Sequence, residues 1–380
     1  MFALMATTYV PFLQSIGLSL SQVTAINVLF WLTIVVFEVP TGMLADARSR
    51  SWSLRIGFFL YAVGFTGYFF AKSFWAVAAF ELLDGIAFTF LSGVQQAWIT
   101  DALVKHGRGA EKGKVFAEAT IIRGLVSLPG ALLGAWIGST LGLAAVWIFS
   151  VAFALLGVLV VYLFMGTDGE ATNKVNEVEA LKLSINITRT NPALRWSIIM
   201  NLLFALVMAF NHLWTPYFLQ WVSLPTLGLL WAPLYLSITI AGWIIRQAKI
   251  TSGFEAKGIM LSLVVAGFGL LMIGQTHGIG LAIAMGIIYE IGRGGFGPLL
   301  DSYTQHHVNS NHRATYGSLQ SLTGEIGSAL VLLSMSLYMS GKPDTPATIS
   351  TVWLGAGGLL IVLAFVFYLL RPKEKKNGIA

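Results

Sequence analysis

The chain has no cysteine among its 380 residues. Disulfides, thiolate metal sites and cysteine nucleophiles are thereby excluded. Charge is scarce as well. Asp, Glu, Lys and Arg together make up 11%, where a soluble domain carries about a quarter. Chemistry-bearing signatures are also missing, for no Ser-His-Asp set and no zincin helix can be assembled. A Gly-x-Gly-x-x-Gly run does occur at Gly292–Gly297, but no strand precedes it and it lies inside an apolar stretch. It reads as small residues for close packing, not as a dinucleotide site. No cofactor, metal or enzymatic activity is expected.

What the chain has is hydrophobicity. Apolar residues make up 56%, and the mean hydropathy is +0.76. Apolar runs of roughly 20 residues follow one another, each long enough to cross about 30 Å of hydrocarbon. They must be helices, because lipid offers no partner to an open backbone. Twelve spans are read: 1–14, 21–44, 52–71, 74–103, 115–139, 141–165, 193–222, 225–247, 255–276, 278–304, 314–340 and 347–371. The first is short and has no basic flank. Its start lies upstream or the helix is truncated, and a signal peptide is disfavoured because the basic n-region is missing.

The basic residues sort by side. Nineteen of the 23 Lys and Arg fall on one side of the alternating spans, against Lys72 and Lys342 on the other, while Arg123 and Arg293 lie within spans. By the positive-inside rule the rich side is cytoplasmic and both termini are inside. The formal charge of +6 therefore reflects topology and lipid headgroups, not nucleic acid. His306, His307 and His312 are expected in a solvated cytoplasmic loop.

The longest polar stretch, 166–192, divides the spans six and six. It predicts an N-terminal bundle at 1–165, a linker, a C-terminal bundle at 193–371 and a tail at 372–380. An offset of 200 aligns Asp101 with Asp301, Phe116 with Tyr316 and Gly124 with Gly324, which suggests a duplicated six-helix unit.

Ionisable groups inside spans are costly and usually face a cavity or one another. Glu81 and Asp84 are three residues apart, on one helical face, and can hold one proton between them. Glu290 and Arg293 have the same spacing, and Glu325 lies at a matching depth in the following span. This Glu-Arg-Glu group is the strongest candidate for proton coupling, against the alternative of a static ion triad. Arg123 is expected to be buried near Gln95, Gln96 and Glu118. For cargo, the aromatic and polar residues Asn211, His212, Trp214, Tyr217, Trp231, Tyr235 and Tyr289, with Gln95, suit an amphipathic molecule.

Several segments carry a family resemblance. Gly42, Leu44, Ala45, Asp46 and Arg50 fit the Gly-x-Leu-Ala-Asp-Arg-x-Gly-Arg loop of the major facilitator superfamily, with Ala47 and Ser49 departing from it. Glu38, Pro40, Thr41 and Gly42 are similar to the lead-in of its drug-exporter-like members. Gly124 and Pro129 match part of the antiporter signature, while Leu128, Leu132 and Leu133 replace its glycines. Arg293-Gly294, Pro298 and Arg313-Ala314-Thr315 also resemble that branch. Glu81 occupies a position where the family often has Arg, so the role of that Arg does not transfer.

The resemblance implies an all-α membrane protein of twelve transmembrane helices in two pseudo-symmetric six-helix bundles. It implies a latch at Gly42, Asp46 and Arg50, with Pro129 and Gly130 shaping the fifth span. The expected function is proton-coupled efflux of a small amphipathic compound by a monomer in the cell (inner) membrane. Its partners are the cargo, protons and the bilayer. The alternatives are proton-coupled uptake of a sugar or organic acid, and a non-transporting sensor on a transporter fold.

Overall fold

The computed structural model describes residues 1–165, 177–247, 254–309 and 312–372. At Asp46, Ala117, Glu177, Val178, Ala180, Arg246, Ala314 and Thr315 it describes the backbone alone. Parts of the expected linker and tail, and the Asp46 side chain, therefore lie outside the described residues. The described residues are helical throughout, with no strand among them. Eleven helices are long and apolar enough to cross a membrane. The first apolar segment, read as a single short span, is broken into α1 (Phe2–Met5) and α2 (Tyr9–Ser15). With it, the chain has the twelve segments of the expected fold.

The chain divides into two compact units. The first takes Met1–Val178 with Phe218–Ala232 and Leu332–Ser340. Its helices after α2 are α3 (Leu20–Ala47), α4 (Arg50–Phe70), α5 (Phe74–Leu91), α6 (Val94–Lys105), α7 (Lys112–Thr140) and α8 (Ala145–Phe164). Their starts are written locally. Ser19 and Gln22 form a reciprocal capping box on α3, Ser49 accepts from the Trp52 N–H, and Ser73 accepts from the Ala76 N–H. Each bond satisfies amide donors that a helix start leaves open.

The span expected over 74–103 is two helices. Gly93 has φ +70°, a left-handed conformation that side chains with a Cβ rarely adopt. It turns α5 into α6. Small residues also hold the short first helix. A Cβ at Gly130 would meet the Ala3 Cβ, and one at Gly134 would collide with the Leu4 carbonyl. This Gly-x-x-x-Gly spacing lets α1 lie directly on α7.

The second unit takes Glu179–Tyr217, Pro233–Val331 and Gly341–Ala380. Its helices are α9 (Glu177–Thr190), α10 (Pro192–Phe204), α11 (Met208–Phe218), α12 (Leu224–Gln247), α13 (Phe254–Ile273), α14 (Ile279–His307), α15 (Arg313–Met339) and α16 (Pro346–Leu369). The end of α11, the start of α12 and the last residues of α15 belong to the first unit. The stretch read as linker is thus partly helical. Ile187 of α9 packs on a core of Leu194, Val308 and Tyr316, which anchors the helix. Asn191 caps α10, with Pro192 at its first position, where the missing N–H is no loss. The span over 193–222 breaks at a 3-10 turn, Ala205–Val207, rather than at Pro216, which sits inside α11.

Candidate functional site

Each unit contains a buried arrangement of charged side chains. In the first it is built on α5. Glu81 and Asp84 share a face and are 5% and 6% exposed. Helix α4 closes over them. Tyr68 donates a hydrogen bond to Glu81 Oε2, and Tyr9 of α2 donates to the same oxygen at 3.3 Å. Asn27 of α3 in turn donates to the Tyr9 hydroxyl at 3.2 Å and to the Val23 carbonyl at 2.9 Å. Trp147 of α8 stacks on Tyr68, with centroids 4.1 Å apart, and seals that side.

Asp84 is treated differently. Its Oδ1 has no hydrogen-bond partner among the described residues, and neither has the hydroxyl of the fully buried Tyr61. Tyr61 lies within electrostatic reach of both carboxylates. Gly64, one turn along α4 from Tyr61, is what admits Asp84, since a Cβ there would run into Oδ1. No Lys, Arg or His among the described residues forms an ion pair with either acid.

In the second unit the arrangement lies on α14. Arg293 Nε donates to Glu290 Oε2 at 2.5 Å, one turn away on the same face. Tyr289, fully buried beside them, donates to the Val207 carbonyl at 2.7 Å. Glu325 is buried on α15 and accepts from Ser321 at 3.1 Å. Around it, α15 lies on α10. Asn201 donates to the Gln320 carbonyl at 2.7 Å and to Thr323 Oγ1 at 3.2 Å, and a Cβ at Gly324 would press on the Asn201 amide. The glycines at 292 and 294 are packing residues, because a Cβ at either would strike the backbone of Ala266 or Ile238.

Other sequence candidates fall elsewhere. Arg123 is exposed, not buried, and so are Gln95 and Gln96. Ile121, Ile122, Leu125 and Val126 around Arg123 are all exposed too, so this stretch of α7 has no covering helix in its unit. Glu118 pairs with Lys114 at 3.9 Å on the same helix. Pro129 is exposed inside α7, and Gly130 is the seat of α1. In the loop resembling a latch, Arg50 forms an ion pair with Asp101 of α6, and Gly42 lies half-buried in α3.

The aromatic cargo wall needs correction at three positions. Trp214, Tyr217 and Tyr289 are core residues, buried to 3% or less. Tyr217 donates to the Ile273 carbonyl at 3.0 Å and stacks near Trp353, whose indole donates to the Ala209 carbonyl at 2.8 Å. The hydroxyls of Tyr217 and Tyr289 are bound to backbone and their faces lie against rings, which is packing. Asn211, His212, Trp231 and Tyr235 are half-buried, and the His212 ring faces the Met208 carbonyl at 3.3 Å. The histidines also differ from expectation. His306 and His307 complete the last turn of α14, where His306 Nδ1 lies 2.9 Å from Glu255 Oε1 and His307 Nδ1 lies 2.7 Å from the Tyr303 carbonyl.

Sequence reasoning missed Tyr9, Asn27, Tyr61 and Tyr68. The signal was present. Tyr61 and Tyr68 are seven apart and so share a helical face. Asn27 is an amide well inside a 26-residue apolar span, Leu20–Ala45.

Apolar helices of spanning length with acids buried among them define a multi-pass integral membrane protein of the transporter class. The sequence profile of the Major Facilitator Superfamily matches residues 1–332, and the chain belongs to that superfamily. An uncharacterised transporter of the same superfamily from Methanocaldococcus jannaschii is 27% identical over 113 residues, 30% of this chain. The chain spans about a quarter of that relative's length, the match covering 27% of it. Among solved structures, a mutant form of nucleoside transporter NupG matches with a TM-score of 0.79 at 15% identity, covering 97% of this chain and 96% of that one. A bacterial homologue of the human lysosomal transporter Spinster gives 0.72 at 14%, covering 98% and 95%. A D-xylose-proton symporter gives 0.72 at 11%, covering 97% and 94%. At these identities the likeness is one of fold. Membership brings the expectation of a small-molecule cargo.

Proposed function

We propose that this protein is a proton-coupled exporter of small amphipathic compounds that works as a monomer by alternating access. The observation that carries this reading is the burial of acidic side chains in membrane-spanning helices: Glu290 beside Arg293, Glu325, and the Glu81–Asp84 pair. Such groups are retained in hydrocarbon where they load and release ions. Arg keeps its proton, so a Glu is the group that exchanges one. When water enters from the acidic side a carboxylate loads a proton, and when the cleft switches it releases it. Proton occupancy and cargo occupancy then alternate.

The direction of transport rests on residues, not on fold. Glu38, Pro40, Thr41, Gly42, Gly124 and Pro129 resemble exporter-like segments. The nucleoside transporter and the D-xylose-proton symporter share the architecture, and that architecture serves either direction. The charge asymmetry supports cytoplasmic termini and a cell (inner) membrane location. The aromatic and polar groups still half-exposed, Asn211, His212, Trp231 and Tyr235, are the proposed cargo contacts, with Gln95. Gly42, Asp46, Arg50 and the Pro129–Gly130 bend are the proposed gating elements.

The test uses inverted membrane vesicles energised by respiration, with a panel of fluorescent dyes and antibiotics. Proton-dependent accumulation of at least one compound is expected, lost when the gradient is collapsed. Glu325→Gln is expected to insert normally and to lose about a hundredfold of the pH-driven rate, the low end of what a positioned proton-transfer group contributes. Unchanged transport by Glu325→Gln removes that residue from the mechanism. Accumulation only in right-side-out vesicles replaces export by uptake.

A further inference from the structure

The acids of the first unit and the second differ in what surrounds them, and the difference points to a ligand. Glu81 and Asp84 lie on one face of α5, both more than nine-tenths buried, and no basic residue among those described pairs with them. Every group facing them is neutral: Tyr9 from α2, Asn27 from α3, Tyr61 and Tyr68 from α4, and the Trp147 ring from α8. Negative charge in a low-dielectric interior is neutralised by a proton or by a bound cation. Tyr9 and Tyr68 occupy Glu81 Oε2. Asp84 Oδ1 and the Tyr61 hydroxyl, both fully enclosed, bond neither to each other nor to any other described group.

We propose that Glu81, Asp84 and Tyr61 form a binding site for a single sodium ion, closed by Tyr9, Tyr68 and Asn27. A proton on Asp84 serves one oxygen. It does not bridge two oxygens that make no hydrogen bond to one another, whereas a hard cation held between them satisfies both. All the available donors are oxygens, which suit hard cations and not thiophilic or imidazole-seeking metals. A calcium ion takes 6–8 oxygens, and magnesium retains a shell of waters. The packed rings of Tyr68, Tyr9 and Trp147 supply neither. A single positive charge balances one ionised carboxylate of the pair. The inference extends the function proposed above, in that sodium and protons compete for the same pair of acids, but the two are tested separately.

The experiment uses purified full-length protein in detergent, with sodium as the probe. Retention of radioactive sodium and thermal unfolding are measured in sodium, lithium, potassium and choline chloride at equal ionic strength. Saturable retention of about one sodium per chain is expected, with a stabilisation that potassium and choline do not give. Asp84→Asn should abolish retention. Tyr61→Phe removes one hydroxyl, keeps the ring packing, and should weaken sodium binding about tenfold. If Asp84→Asn does not fold, Tyr61→Phe alone decides. Wild-type protein that behaves alike in sodium and choline, or a Tyr61→Phe variant with unchanged sodium affinity, overturns the site. Proton-driven transport in sodium-free choline medium is scored in the same vesicles. Its presence or absence bears on the export reading and leaves the sodium result to stand by itself.

Discussion

A buried carboxylate site on α5 of the first unit and one on α14 of the second are wired differently. On α5 the acids are surrounded by phenols and an amide. On α14 Glu290 is clamped by Arg293 one turn away. The acids of the first site have no basic partner among the described residues, and Glu290 of the second is paired within a single helical turn. Contacts between acidic and basic side chains also lie at the helix ends. In the first unit Arg50 of α4 pairs with Asp101 of α6, and in the second Glu255 of α13 meets His306 of α14. At the 200-residue offset the two pairs do not coincide, since residues 255 and 306 fall opposite 55 and 106, so each unit ties these helix ends at its own positions.

The sharpest way to break this comparison is to remove the base from the balanced site. Arg293→Met leaves Glu290 buried with its charge unmatched. Loss of one partner of a buried pair costs about 3–5 kcal/mol. Thermal unfolding in detergent should fall accordingly, or yield should collapse. The double variant Glu290→Gln, Arg293→Met should return close to the wild-type midpoint. If the single variant is as stable as wild type, the pair is not self-compensating and the contrast fails.

Next in size is Gly64→Ala. The added methyl points into Asp84 Oδ1, and overpacking of this kind costs about 1–3 kcal/mol. Its value is positional, for it displaces Asp84 without touching its charge. A lowered midpoint with sodium dependence reduced in parallel links the packing of α4 to the acid. A neutral result means α4 and α5 separate freely there. Glu81→Gln comes below it. The amide oxygen still accepts from Tyr9 and Tyr68, and the amide is isosteric with the carboxyl, so stability should change by less than about 1 kcal/mol. The isosteric loss of charge at Glu81 should thus be tolerated where the loss at Arg293 is not.

Much of this was readable from the sequence, for a physical reason. Spans are set by long apolar runs that lipid forces into helices, so eleven of the twelve expected segments appear as spanning helices and the shortened first one as two pieces. Glu290 and Arg293 pair because three residues on a helix fix their neighbourhood. What sequence spacing does not encode is tertiary. That Tyr9, Asn27 and Tyr68 converge on Glu81 depends on how α2, α3 and α4 pack around α5. That Arg123 is exposed depends on which face of α7 its unit covers. Tyr217 and Tyr289 are aromatic residues in spans whether they line a path or fill a core, and only their hydrogen bonds to the Ile273 and Val207 carbonyls separate the two. The α5–α6 break follows from Gly93, but a glycine within an apolar run signals close packing as readily as a turn.

The smallest expected effect concerns Arg50 and Asp101. Asp101 is 50% exposed and Arg50 16%, so water and salt screen the pair, and surface ion pairs contribute about 0–1 kcal/mol. Arg50→Gln should therefore barely shift the unfolding midpoint, and raising the salt should erase what shift there is. Arg50 also lies in the loop that resembles a latch, where a role would appear in rates and not in stability. The discriminating measurement is transport of a dye identified as cargo, alongside the midpoint, for Arg50→Gln and for the charge-swapped double variant Arg50→Asp, Asp101→Arg. A stable Arg50→Gln protein with slowed transport, restored by the swap, marks a pair whose bond matters and whose sign does not. Slowed transport that the swap fails to restore shows that the sign is fixed at this end of the first unit, and that the two units differ in more than the placement of their buried acids.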